Sequence, residues 1–101
     1  MTTGPKFGFS HLGIYAENLP KMEDFYTRII GLTITDRGEL PTPNGVVSLI
    51  FFSSDPDEHH QFVLASGRPP NLPFSLINQI SFRARDLDAL KATLSELRQE
   101  G

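Results

Sequence analysis

Residues 10–19 of the chain return, in altered form, at residues 78–87. Placing Ser10-His11-Leu12-Gly13-Ile14-Tyr15-Ala16-Glu17-Asn18-Leu19 over Asn78-Gln79-Ile80-Ser81-Phe82-Arg83-Ala84-Arg85-Asp86-Leu87 aligns Leu12 with Ile80, Ile14 with Phe82, Ala16 with Ala84 and Leu19 with Leu87. The match continues through Met22 with Leu90, Tyr26 with Leu94 and Ile29 with Leu97. A period-two segment followed by a period-3.6 segment thus occurs twice, which predicts a strand and then a helix in each copy. His11 and Gln79 hold the same place in the two copies.

The first copy is the longer. Residues 9–16 alternate as a strand. Asn18 is placed to cap a helix beginning at Leu19 and Pro20, with Met22, Phe25, Tyr26, Ile29 and Ile30 as its apolar stripe and Gly31 as its C-cap. Residues 32–36, 46–53 and 59–65 read as three further strands, the turn at 41–45 carrying Pro41, Pro43 and Gly45. Residues 66–75, with Pro69, Pro70 and Pro73, read as a stiff linker. The second copy has a strand over 76–84 and a helix capped by Asp86, with Leu87, Leu90, Leu94 and Leu97 as its stripe and Gly101 at its C-cap. The expectation is one α+β domain over 1–101: a complete first βαβββ module over 9–65, and the opening of a second over 76–101, truncated after its helix. Truncation is expected in preference to a partner chain supplying the missing strands.

Composition narrows the function classes. The 101 residues carry a formal charge of −3 and no basic stripe, which disfavours nucleic acid and anionic membranes as partners. No apolar run approaches the ~20 residues of a membrane helix, and no secretion signal opens the chain, so a cytoplasmic protein is expected. With no cysteine, disulfides and thiolate chemistry are excluded.

Strand periodicity assigns faces. Leu12, Ile14 and Ala16 share one side of the first strand, and His11, Gly13 and Tyr15 the other. In the 76–84 strand, Ile80, Phe82 and Ala84 oppose Gln79, Ser81 and Arg83. The apolar sides should pack against the two helices. The other sides carry His, Tyr, Gln, Ser and Arg, a set suited to lining a concave site. In the 59–65 strand His60, Phe62 and Leu64 share a side opposite His59, Gln61 and Val63, and the period alone does not say which is inward. His59-His60 is either a polar strand start or a place where His60 reaches the site as an acid, base or substrate contact.

The segment from His11 to Leu32, with its first-strand His followed by Asn-Leu, Lys and Phe-Tyr at a helix ending in Gly-Leu, resembles the opening of the vicinal oxygen chelate superfamily of glyoxalases, bleomycin-resistance proteins and extradiol dioxygenases. Asn78-Gln-Ile-Ser-Phe-Arg-Ala-Arg-Asp-Leu is similar to the start of that family's second module, and Asp57-Glu-His-His-Gln-Phe-Val-Leu is most like the extradiol ring-cleavage enzymes. The resemblance implies paired modules closing around one divalent metal. Fe(II) is first choice, with Mn(II), Zn(II) or Ni(II) as alternatives. By position the ligands are His11 and Gln79, where the dioxygenases have a second His, and a last-strand Glu falls outside the chain. Tyr15 and His60 would be catalytic, and Arg83, Ser81 and Phe62 would hold a small aromatic or oxygen-rich substrate. Leu64 falls where glyoxalases place a coordinating Glu, which counts against that reaction. Without its closing strands the second copy would expose a sheet edge and the apolar side of its helix, and dimers sharing modules are common in the family it resembles, so a homodimer or a swapped arrangement is expected. A metal-free binding module of the bleomycin-resistance type and a glyoxalase-type lyase or isomerase are the alternatives to an extradiol-like oxidoreductase.

Overall fold

A computed structural model describes residues 4–73, 77 and 79–100. Its centre is a four-stranded mixed sheet in the order β1-β4-β3-β2, formed by β1 (Leu12–Ala16), β2 (Thr33–Thr42), β3 (Gly45–Ser53) and β4 (Phe62–Ser66). β1 runs parallel to β4, pairing Leu12 with Phe62 and Ala16 with Ser66, while the other two pairings are antiparallel. A parallel pair needs a long crossover. Here the connection carries α1 (Leu19–Asp24), which continues into a π-helical turn over Phe25–Ile29, and the β2–β3 hairpin.

Asn18 caps α1, its side-chain oxygen accepting from the Lys21 N–H at 3.1 Å, and Pro20 sits in the first turn where no N–H partner is lost. The helix does not stay α throughout. Ile30 N–H reaches back five residues to the Phe25 carbonyl, and Thr27 Oγ1 donates to the Glu23 carbonyl at 2.8 Å. Gly31 then ends it at φ +88°, a conformation that a Cβ disfavours, as expected of a C-cap.

The core lies between this helix and one side of the sheet. Tyr26 packs on Phe62 and Phe52 with ring centroids 4.6 and 6.2 Å away, joined by Ala16, Leu32, Ile50 and Leu64. β3 is central, as its apolar run predicts. β2 is longer than the expected 32–36 because the hairpin pairs through Pro41, which an edge strand tolerates since no neighbour needs its N–H. β4 starts at Phe62 rather than at residue 59.

The second copy behaves differently. Asp86 Oδ1 accepts from the Ala89 N–H at 2.8 Å and α2 (Leu87–Glu100) follows as expected. The described part of the expected 76–84 strand, however, is not a strand, and residues 76 and 78 lie outside the described residues. A strand is held by ladder hydrogen bonds to a neighbour, and among the described residues the sheet contains only β1 to β4. For the same reason the leucine stripe of α2 does not pack on a sheet: Leu87, Leu90, Leu94 and Leu97 are 62%, 56%, 48% and 42% exposed. Of the described residues in this segment, Ile80 packs against the core, and the Phe82 ring lies 6.2 Å from Tyr26. The expected cap at Gly101 lies outside the described residues.

Candidate functional site

The side of the sheet away from α1 holds a hollow of about 370 Å³ whose floor and walls include Gly13, Tyr15, Leu49, Phe51 and Val63, with His11 and His60 at one end. β1 brings Gly13 and Tyr15 to this side by simple alternation, and His11 continues the series just ahead of the strand. The His11 and His60 rings meet edge to face with centroids 4.3 Å apart, and Phe51 lies 5.1 Å from His60 and 5.6 Å from His59. All three histidines of the chain therefore gather at one corner, His59 and His60 against the Phe51 ring and His11 against His60.

Two departures from strand alternation build that corner. The first is in β2, where Ile34 pairs with Phe52 and Asp36 with Phe51, so that Thr35 is an extra residue. Without this bulge Asp36 would share the inward face of Ile34. With it, Asp36 stands beside Phe51 on the hollow's side. The second is at the start of β4, where Gln61 N–H donates to the Phe52 carbonyl at 2.8 Å although Phe62 already pairs with Phe52. Two residues crowd one, and His60 leaves the side that Phe62 occupies.

Phe62 is thus the clear correction to the sequence expectation. Periodicity puts it on one face with His60, yet the two part: Phe62 is a core residue, 5% exposed and against Tyr26, and its edge lines the hollow of Gln79 and Ser81 rather than that of His60. Its side chain points with Leu64 toward the helix, because alternation holds from Phe62 onward but not through Gln61 to His60. Gln61 is turned as well. Its Oε1 accepts from Ser54 N–H at 2.9 Å and Ser54 Oγ at 2.8 Å, tying down the loop that leads to the histidines.

The hydrogen bonds at the corner form a row. His59 Nε2 lies 3.3 Å from Asp36 Oδ2, and His59 Nδ1 lies 2.8 Å from His60 Nδ1. Ser10 Oγ lies 3.1 Å from His11 Nδ1. The His60 pKa is depressed from the ordinary imidazole value, chiefly because its surroundings remove water, and then because His11 and His59 would repel a charge there; Glu58 opposes the shift.

The remaining expected site residues are elsewhere. Gln79 and Ser81 line a second hollow of about 300 Å³ with Phe9, Phe52 and Phe82, where Gln79 Nε2 donates to Ser81 Oγ. Arg83 lines a third, of about 320 Å³, beside Ile29, Ile30 and α2. The structure therefore brings together His11, Tyr15 and His60, and leaves Gln79, Ser81 and Arg83 apart from them. Among the described residues, no three His, Asp or Glu side chains are placed to hold one metal ion. His11 and Gln79 line different hollows, so these residues do not fit the metal that the resemblance implies. Sequence reading misses Phe51, Asp36 and the participation of His59. The apolar run of β3 has no alternation to place Phe51, and Asp36 depends on a bulge that no residue type announces.

A model of the Glyoxalase/Bleomycin resistance protein/Dioxygenase superfamily matches residues 8–101. The chain belongs to that superfamily. It is the family expected from the His11–Leu32 and Asn78–Leu87 segments, and it contains enzymes as well as non-enzymatic resistance proteins. Comparison with individual curated proteins gave no match. No helix among the described residues is long and apolar enough to cross a membrane.

Proposed function

We propose that the chain binds a small aromatic molecule in the hollow bounded by His11, Tyr15, Phe51 and His60, in the manner of the superfamily's metal-free binding members. The observation that carries this reading is the composition of that hollow. Leu49, Phe51 and Val63 supply an apolar floor, Tyr15 a hydroxyl and His60 an imidazole whose charged form is disfavoured, and no Asp, Glu, Lys or Arg among the described residues lines it. A flat ring with one or two polar substituents matches such walls, because the ring replaces water over apolar surface and the substituents meet the few polar groups.

An extradiol-type dioxygenase is the second reading, favoured by the meeting of His11 and His60 beside Tyr15 on one face. It requires Fe(II) held by ligands that the described residues do not assemble, so no step of that reaction is assigned to these side chains.

Catechol titrated into isotopically labelled, metal-free protein separates the readings. Binding at the hollow shifts the amide signals of Gly13, Tyr15, Phe51 and Val63, and His11→Ala weakens it by less than about tenfold, the equivalent of ~1.4 kcal/mol. Shifts confined to the hollow lined by Gln79 and Phe82, or none at all, would sink the proposal. Catechol consumption in air by the Fe(II)-treated protein, abolished by His11→Ala, establishes the dioxygenase instead.

A further inference from the structure

We propose that Asp36 and His59 are positioning residues that fix the tautomer of His60, so that the ring offers an acceptor nitrogen, Nε2, to a ligand bearing an O–H or N–H group. This inference rests on the hollow being a binding site, and it names the polar chemistry that site would recognise.

The row of hydrogen bonds begins at a charged end, the Asp36 carboxylate. A carboxylate only accepts hydrogen bonds. The contact between Asp36 Oδ2 and His59 Nε2 therefore places a proton on Nε2 of His59. In a neutral imidazole the other nitrogen then carries a lone pair, so His59 Nδ1 is an acceptor. His60 Nδ1, 2.8 Å away, must be the donor. With its one proton on Nδ1, His60 keeps a lone pair on Nε2. Each assignment forces the next, and Asp36 starts the sequence.

The fold is arranged to make this row. Asp36, His59 and His60 come from β2 and from the loop before β4, and the neighbouring His11 from just ahead of β1. Phe51 of β3 lies against both His59 and His60, whose rings meet nearly at right angles with centroids 5.0 Å apart. The bulge at Thr35 turns Asp36 to this side, and the crowding at Gln61 puts His60 there. Without either irregularity the acceptor and the ring would lie on opposite faces of the sheet. Ion pairing at an exposed site adds little stability, so the consequence of this contact is the direction of the protons along the row.

Ring-nitrogen NMR reads tautomers directly in the ligand-free protein. At a pH of about 8.5, some two units above the ordinary imidazole value, the expected pattern is a bare nitrogen at Nδ1 of His59 and at Nε2 of His60, with assignments made by His59→Gln and His60→Gln. Asp36→Ala should collapse both patterns to averaged shifts, whereas Asp36→Asn, which keeps an acceptor oxygen, should preserve them. A proton on Nε2 of His60 in the unsubstituted protein, or an Asp36→Ala spectrum unchanged in both rings, overturns the proposal. The ligand arm compares phenol with anisole, the same ring without the donor. Phenol should bind roughly three- to tenfold more tightly, the size of one hydrogen bond, and Asp36→Ala should erase the preference. Equal binding of the two refutes the recognition claim. Failure of both to bind defeats the binding site itself, while the tautomer measurement still decides independently whether the row orders its protons.

Discussion

Replacing Phe62 with Ala tests the division of the sheet into a core side and a ligand side. The ring is 5% exposed and packs between Tyr26, at 4.6 Å, and Phe52, at 6.0 Å. Truncating a buried phenylalanine removes its transfer free energy and leaves a cavity, together costing about 3–5 kcal/mol. A chain of 101 residues has a total stability of roughly 5–15 kcal/mol at the usual ~0.05–0.15 kcal/mol per residue, so this one change removes a large fraction of it. With a urea dependence of about 2 kcal/mol per M, the unfolding midpoint should fall by roughly 1.5–2.5 M, measured by circular dichroism. Phe62→Leu, which refills most of the volume, should recover more than half of that loss. The folded fraction of either variant should bind catechol as the original chain does. Phe51→Ala, on the other side of the same sheet and only partly buried, should show the reverse, a smaller midpoint change with weakened binding. A midpoint moved by less than about 0.5 M in Phe62→Ala, or a selective loss of binding in Phe62→Leu, would refute the reasoning and return Phe62 to the ligand.

Three further outcomes are expected. Gly31→Ala should destabilise by about 1 kcal/mol in the same urea experiment, because φ is +88° and no atom stands where the new Cβ would go, so backbone strain acts alone; Gly31→Asn should lose less. Asp86→Ala should reduce the helical signal of α2, and acid should do the same to the original chain. The Asp86 carboxyl is held below its ordinary pKa by the Ala89 N–H and then by Arg85. A depressed folded-state value contributes stability above the unfolded pKa and loses it as pH falls through the folded one, so helicity that persists unchanged to pH ~2, well below the ordinary carboxylate range, contradicts the cap. Finally, the homodimer expected from the sequence would cover the half-exposed face of Leu90 and Leu94. Sedimentation should give a two-chain mass that Leu90→Gln with Leu94→Gln halves, and a single-chain mass for the original protein excludes that arrangement.

The first module is legible wherever a residue's role is set by its immediate neighbours along the chain. Asn18 and Pro20 start a helix, Gly31 stops it, and alternation in β1 separates His11, Gly13 and Tyr15 from Leu12, Ile14 and Ala16; each depends on local backbone geometry that the side chains themselves impose. The same local rules are enough for α2 and its Asp86 cap. Where pattern and fold part company, the cause is non-local. Residues 79–84 have the pattern of a strand, but pattern does not supply the neighbouring backbone that a strand must bond to. Phe62 and His60 are two residues apart and alternation puts them on one face; only the pairing of Gln61 and Phe62 against Phe52 separates them. Asp36 reaches His59 because Thr35 has no counterpart on β3. By itself, then, the sequence determined where the helices start and, in the first module, where the strands lie and which surface of β1 is apolar, since those follow from steric and solvation preferences within a few residues. The tertiary structure alone decided which polar groups meet, because one unpaired residue in a ladder reverses every side chain beyond it.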